Sequence, residues 1–164
     1  MKREGLPRKE NSVEEQELRK LYEKFIEAWN NRDVEGVMAL CADDLTFEDP
    51  LVGGPISGKD RIGGLMQRWW QAFPDIEIEV VGHVIGENRV AVEWRAKATN
   101  SGELPLTHGV TLPPTGKCID SRGVSIIDFR DGKAVRQREY WDALAMMRQL
   151  GLLPSMPGMH ERAA

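Results

Sequence analysis

Residues 76–95 read Ile-Glu-Ile-Glu-Val-Val-Gly-His-Val-Ile-Gly-Glu-Asn-Arg-Val-Ala-Val-Glu-Trp-Arg. Ile76, Ile78 and Val80 alternate with Glu77 and Glu79. Val90, Val92 and Trp94 alternate with Ala91, Glu93 and Arg95. A period of two puts one set of side chains on a buried face and the other in water, the pattern of half-buried strands. Gly86-Glu87-Asn88-Arg89 between the two runs supplies a hairpin turn, so the strands are expected to pair antiparallel.

Downstream, a loop at Asn100-Ser101-Gly102-Glu103 leads into an extended stretch from Leu106 to Leu112, and Pro113-Pro114-Thr115-Gly116 forms a turn. Val124–Phe129 reads as a strand, Arg130-Asp131-Gly132-Lys133 as a tight turn carrying Asp-Gly, and Ala134 to about Trp141 as the last strand. Asp142 opens a short final helix, Ala143–Leu150, closed by Gly151. Upstream, Lys59–Phe73 carries Ile62, Leu65, Met66, Trp69 and Trp70 on one helical side and is broken by Pro74. A glycine-rich loop (51–58) and a short extended piece (45–50) precede it, then a short helix capped by Asp33. A long helix comes first, with Leu18, Leu21, Tyr22, Phe25, Ile26 and Trp29 on one stripe. Ser12-Val13-Glu14-Glu15 looks like its capping box.

Helices first and strands afterwards is the α+β plan: a curved antiparallel sheet packed as a cone on about three N-terminal helices, with a short C-terminal helix. The 164 residues suffice for one domain, expected over 12–153, with a loose lead-in at 1–11 and a flexible tail at 154–164. Five tryptophans, together with Phe25, give the cone interior large side chains that can pack a core or line a pocket.

Hydrophobic residues make up 41% of the chain and charged residues 29%, an ordinary globular balance. The net charge of −4 and the scattering of Lys and Arg argue against nucleic acid as a partner. No apolar run approaches the ~20 residues that span a bilayer, and no apolar stretch follows Met1-Lys2-Arg3, so no membrane partner and a cytoplasmic location are expected. Cys41 and Cys118 form no CxxC pattern and are expected to be small core residues. His, Asp and Glu do not cluster at ligand spacing, so no metal is expected.

The segment Ala42-Asp43-Asp44-Leu45-Thr46-Phe47-Glu48-Asp49-Pro50, followed by Gly54-Pro55-Ile56-Ser57-Gly58, resembles the nuclear-transport-factor-2-like superfamily, the ketosteroid isomerases in particular. Gly132-Lys133 through Glu139-Tyr140-Trp141-Asp142 to Arg148-Gln149-Leu150-Gly151 is similar to the SnoaL-like polyketide cyclases, as is Leu112–Lys117. The likeness runs from about residue 14 to residue 153. It implies a cone of one curved sheet and three helices, a homodimer packed through the outer sheet face, and a pocket for hydrophobic ring compounds that works without a cofactor. SnoaL-like cyclases close a ring by intramolecular aldol chemistry with an aspartate that falls on Asp142; ketosteroid isomerases shuttle a proton with an aspartate that falls on Asp49. The chain departs from the isomerases where they place a tyrosine and a protonated aspartic acid as oxyanion donors, since Phe25 and Ser125 stand there. Steroid isomerisation is therefore disfavoured. So is limonene epoxide hydrolysis, because the strand that would carry Arg-x-Asp reads Arg95-Ala96-Lys97.

Two carboxylates are thus the candidate acid/base groups. Asp142 would sit at the mouth of the cone, where burial raises proton affinity, or it would simply cap the helix it precedes. Asp49 would face the pocket from the end of a short strand, or serve as a turn residue before Pro50. Glu48 should point the opposite way. Phe25, Trp29, Trp69, Trp94, His108 and Tyr140 are the candidate substrate contacts, His108 and Tyr140 supplying polar groups near an enolate. Tyr140 and Arg138 share one strand face, and Asp142 would join them if the phase continued. The expected function is cofactor-independent acid/base chemistry on a hydrophobic carbonyl compound, by aldol-type cyclisation or isomerisation. The rival reading is a non-catalytic module that holds a small molecule or partner in the same cone, and a third is a structural dimer whose tryptophans fill the pocket.

Overall fold

The computed structural model describes residues 13–106 and 109–153. The expected lead-in and tail, Ser12 of the capping box, and His108 lie outside them.

The helices are α1 (Val13–Asn30), α2 (Val34–Ala39), α3 (Lys59–Ala72) and α4 (Ala143–Gln149). The strands are β1 (Cys41–Glu48), β2 (Ile56–Ser57), β3 (Glu77–Ile85), β4 (Arg89–Thr99), β5 (Leu104–Pro105), β6 (Thr111–Leu112), β7 (Cys118–Arg130) and β8 (Lys133–Trp141). Asp33 caps α2 as its sequence predicts, its Oδ1 accepting from the Gly36 amide at 2.8 Å.

Six strands form one sheet in the order β2-β1-β8-β7-β4-β3. The hairpin read from residues 76–95 pairs antiparallel, Ile78 opposite Ala96 and Val80 opposite Trp94. The expectation of an antiparallel sheet throughout needs one correction: β1 runs parallel to β8, with Glu48 opposite Arg138. Parallel neighbours need a long crossover, and here residues 49–132, about half the chain, lie between the two strands. The stretch Leu106–Leu112 is not one strand either; β5 and β6 make a separate two-stranded sheet, Leu104 opposite Leu112. β7 is longer than the apolar run Val124–Phe129, because residues 118–123 pair along β4.

The core lies between the helices and the concave sheet face, with Tyr22 and Phe25 of α1, Ile62, Met66 and Trp70 of α3, and Val90, Val92, Ile127 and Met146 all buried. The end of α1 is tied to the sheet edge. The Asn30 side chain donates to the Ile78 carbonyl and accepts from the Ile78 amide, both at 2.9 Å, and Arg32 donates to the carbonyls of Pro74 and Ile76. These bonds satisfy backbone groups where chain and helix part, and they fix how far the cone opens. Cys41 is buried, but Cys118 is exposed, so only one cysteine is a core residue. Among the described residues no helix is long and apolar enough to cross a membrane.

Candidate active site

Between α1, α3 and the concave sheet face lies a cavity of about 120 Å³. An apolar cavity of ~150 Å³ admits a benzene ring, so this one is on the scale of a single ring before any side chain moves. Its wall is apolar apart from five side chains: Asp49, Ser121, Ser125, Gln137 and Glu139.

Strand alternation delivers these groups. Gln137, Glu139 and Trp141 occupy the inward positions of β8, and Ser125, opposite Glu139, is inward on β7. Asp49 follows β1 directly, and Leu45, Phe47 and Asp49 all reach the cavity. The parallel pairing of Glu48 with Arg138 brings Asp49 beside Glu139.

Each carboxylate is held by two donors. Trp141 Nε1 donates to Asp49 Oδ2 at 2.8 Å, and the Leu51 amide donates to Oδ1 at 2.8 Å. Ser125 Oγ donates to Glu139 Oε2 at 2.6 Å and itself accepts from Trp94 Nε1 at 2.9 Å. Gln137 Nε2 donates to Glu139 Oε1 at 2.6 Å. Gly123 makes this packing possible. A Cβ there would lie 2.4 Å from the Trp94 ring and 2.8 Å from Trp141 Cβ, so any side chain would displace one or both of the indoles that hold the two carboxylates.

Burial dominates the electrostatics. It raises the Asp49 carboxyl above the ordinary carboxylate range, opposed by the Trp141 and Leu51 bonds. It pushes Glu139 up to about 7, opposed by the bonds from Ser125 and Gln137 and reinforced by the charge of Asp49. Among the described residues no lysine or arginine is a cause of either shift. Burial, with the Asp49 charge adding to it, keeps a proton on Glu139 up to about 7.

The candidate residues divide. Asp49, Phe25, Trp29, Trp69 and Trp94 all line the cavity. Tyr140 does not: it stands on the outer sheet face, 54% exposed, because the inward phase of β8 belongs to Glu139 and Trp141. Arg138 shares that outer face and binds Asp128 at 3.0 Å. Asp142 is not in the cavity wall. It is exposed and caps α4, its Oδ1 accepting from the Ala145 amide at 2.8 Å. The change from strand to helix ends the alternation before Asp142 could follow it inward. His108 lies outside the described residues. Arg95 is bound on the outer face by Asp120, Nε to Oδ1 at 2.7 Å.

Glu139 is the residue that sequence reasoning missed. The signal was present: Gln137-x-Glu139-x-Trp141 is one period-two face, and its Trp is more apolar than anything on the Arg138–Tyr140 face. Among the described residues no group of three or more His, Cys, Asp or Glu side chains is arranged to hold a metal ion.

The chain matches a known family. The model of the SnoaL-like domain matches residues 22–137, and the chain belongs to that family. Among solved structures it is similar to AclR, a candidate hydroxylase from Streptomyces galilaeus, at 29% identity over 87% of this chain and 86% of that one, with a TM-score of 0.72. It is similar at 27% identity to IdmH, a candidate polyketide cyclase from Streptomyces antibioticus, over 81% of this chain and 97% of that one (TM-score 0.67). A candidate SnoaL-like cyclase from Jannaschia sp. CCS1 shares the fold at 18% identity, over 89% and 99% of the two chains (TM-score 0.76). No curated protein matches the sequence.

Proposed function

We propose that this protein is a cofactor-independent acid/base enzyme that enolises a hydrophobic carbonyl compound and directs the enol to aldol-type ring closure or isomerisation. The observation that carries the reading is the placement of Asp49 and Glu139 on one apolar cavity, each held by neutral donors and neither by a cation.

In this reading Asp49 is the ionised partner and Glu139 carries the proton. The Asp49 carboxylate takes a proton from the carbon next to the substrate carbonyl. The C–H electrons move into the enol double bond, and Glu139 gives its proton to the carbonyl oxygen. Asp49 is then neutral and Glu139 ionised, so the pair still holds one proton. In ring closure the enol carbon attacks a second carbonyl of the same molecule. The Asp49 proton goes to the new alkoxide and the enol O–H proton returns to Glu139, which restores the starting state. An acid whose proton affinity lies near the working pH favours the transfer to oxygen, and the raised Asp49 carboxyl is a stronger base than an ordinary carboxylate. Phe25, Trp29, Trp69 and Trp94 are proposed to hold the substrate rings in a reactive conformation. The homodimer that the family resemblance implies remains part of this reading, with the outer sheet face as its surface.

The test is α-carbon deuterium exchange of 2-tetralone in D2O, followed by NMR. The wild-type protein is expected to accelerate exchange, and Asp49→Asn to remove about 10²–10⁴-fold of that acceleration, the usual scale of a positioned general base. Full exchange activity in Asp49→Asn overturns the assignment. Binding of tetralone without any exchange favours the non-catalytic binding module instead.

A further inference from the structure

A second, smaller cavity of about 50 Å³ adjoins the first and shares Leu65 and Trp69 with it. Its other walls are Leu51, Val52 and Ile56 from the loop after β1, Leu104, Pro105 and Leu106 from the β5 region, and Arg68 of α3. Eight of these nine residues are apolar, and Arg68 is the exception.

Arg68 is unlike the paired arginines of the sheet. Arg89, Arg95, Arg130, Arg136 and Arg138 all bind carboxylates. Arg68 has no ion pair or hydrogen bond among the described residues, and its buried Nε is without a partner. The Nε is buried against an apolar wall and makes no hydrogen bond, a desolvated donor that costs free energy unless a ligand supplies an acceptor. Gly64, one turn back on α3, lies beside the guanidinium: a Cβ there would be in ordinary contact with Arg68 Nη1, at 3.9 Å.

The two cavities share walls close to Asp49. The Leu51 amide holds Asp49, and the Leu51 side chain walls the Arg68 cavity. Trp69, next to Arg68 on α3, stands between the two spaces and meets Trp141 edge-on with ring centroids 6.0 Å apart. A ligand with its ring against Asp49 and Glu139 and a substituent passing Trp69 therefore reaches a waiting cation.

We propose that Arg68 is a substrate-binding residue that pairs with a carboxylate, so the substrate is a hydrophobic ring compound bearing a free acid remote from the reacting carbon. The planar fork of Arg suits a carboxylate through paired N–H···O bonds. This rests on the cavity of Asp49 and Glu139 being the substrate site, and it names the class of molecule that enters.

The test is tryptophan-fluorescence titration of the full chain with ω-phenylalkanoic acids of increasing chain length and with their primary amides. At the best chain length the acid is expected to bind about tenfold tighter than its amide, a charge-assisted hydrogen bond's worth of affinity. Added salt should weaken the acids and spare the amides. Arg68→Gln should level the two series, and Arg68→Lys should keep part of the preference. Equal affinity of acids and amides in the wild-type protein, or no binding of either, overturns the proposal without recourse to any variant. An acid preference that survives Arg68→Gln overturns it too. Asp49→Asn is expected to keep the acid preference, so failure of the acid/base chemistry and failure of the anion site are read separately.

Discussion

The two faces of one sheet treat carboxylates in opposite ways. On the outer face Arg95 binds Asp120 and holds its carboxyl below the ordinary range. Burial acts to raise Asp128, yet the bond from Arg89 and the charges of Arg89, Arg138 and Arg136 outweigh it and the group is lowered. On the inner face Asp49 and Glu139 have hydrogen-bond donors but no cation, and burial raises both. The same strands, β7 and β8, carry both kinds of site. Proton affinity here is set by which side of the pleat a residue occupies, not by its type. A carboxylate on the wet face costs little to ionise and finds an arginine. On the dry face, burial raises both carboxyl groups, and Glu139 holds its proton until the solution is nearly neutral.

This contrast can be broken in steps of decreasing size. Asp49→Asn, the largest, removes the proposed base itself. Next comes Glu139→Gln, which removes the exchangeable acid. Exchange is expected to fall about 10²-fold, and its pH dependence should change. In the wild type the rate should decline above a pH of about 7, where Glu139 loses its proton. The variant should lack that decline, and a wild-type profile flat through pH 8 would remove Glu139 from the mechanism.

Stability offers a third step that is independent of turnover. Glu139 has an ordinary value of 4.5 and a folded-state value of about 7. The folded state thus binds the extra proton between these values, so wild-type stability falls as pH rises from 4.5 to 7 and then levels. The loss is on the order of 3 kcal/mol at most. Glu139→Gln should flatten that decline, measured as denaturation midpoints at pH 4.5 and 8. A decline of the same size in the variant would show that other groups produce it.

The smallest effects are expected outside the cavity. Asp142→Asn keeps a helix-capping side chain and should change stability by only a few tenths of a kcal/mol and leave exchange intact. A large loss of exchange in that variant would return Asp142 to the chemistry and weaken the division between the faces.

Much of the architecture was legible locally. The alternation at 76–80 and 90–95, the Asp33 cap and the apolar stripes of α1 and α3 each follow from periodicities that a short window contains. The pairing of β1 with β8 was not, because hydrogen-bond partners separated by about half the chain leave no mark in either segment. The site divided along the same line. Asp49 and the aromatic wall of Phe25, Trp29, Trp69 and Trp94 could be named from the sequence. The placements of Asp142 and Tyr140 depend on strand phase at the end of β8, where strand gives way to helix, and both fall outside the cavity.

The sequence alone therefore determined which residues alternate, where helices begin and which family the chain resembles, since these depend on neighbours a few positions apart. Only the tertiary structure decided that Glu139 stands beside Asp49, that Gly123 lets two indoles close on them, and that Arg68 finds no counter-charge among the described residues. Proton affinity and unpaired charge depend on the dielectric and the partners around a group in space, and the chain acquires those only when distant strands pair.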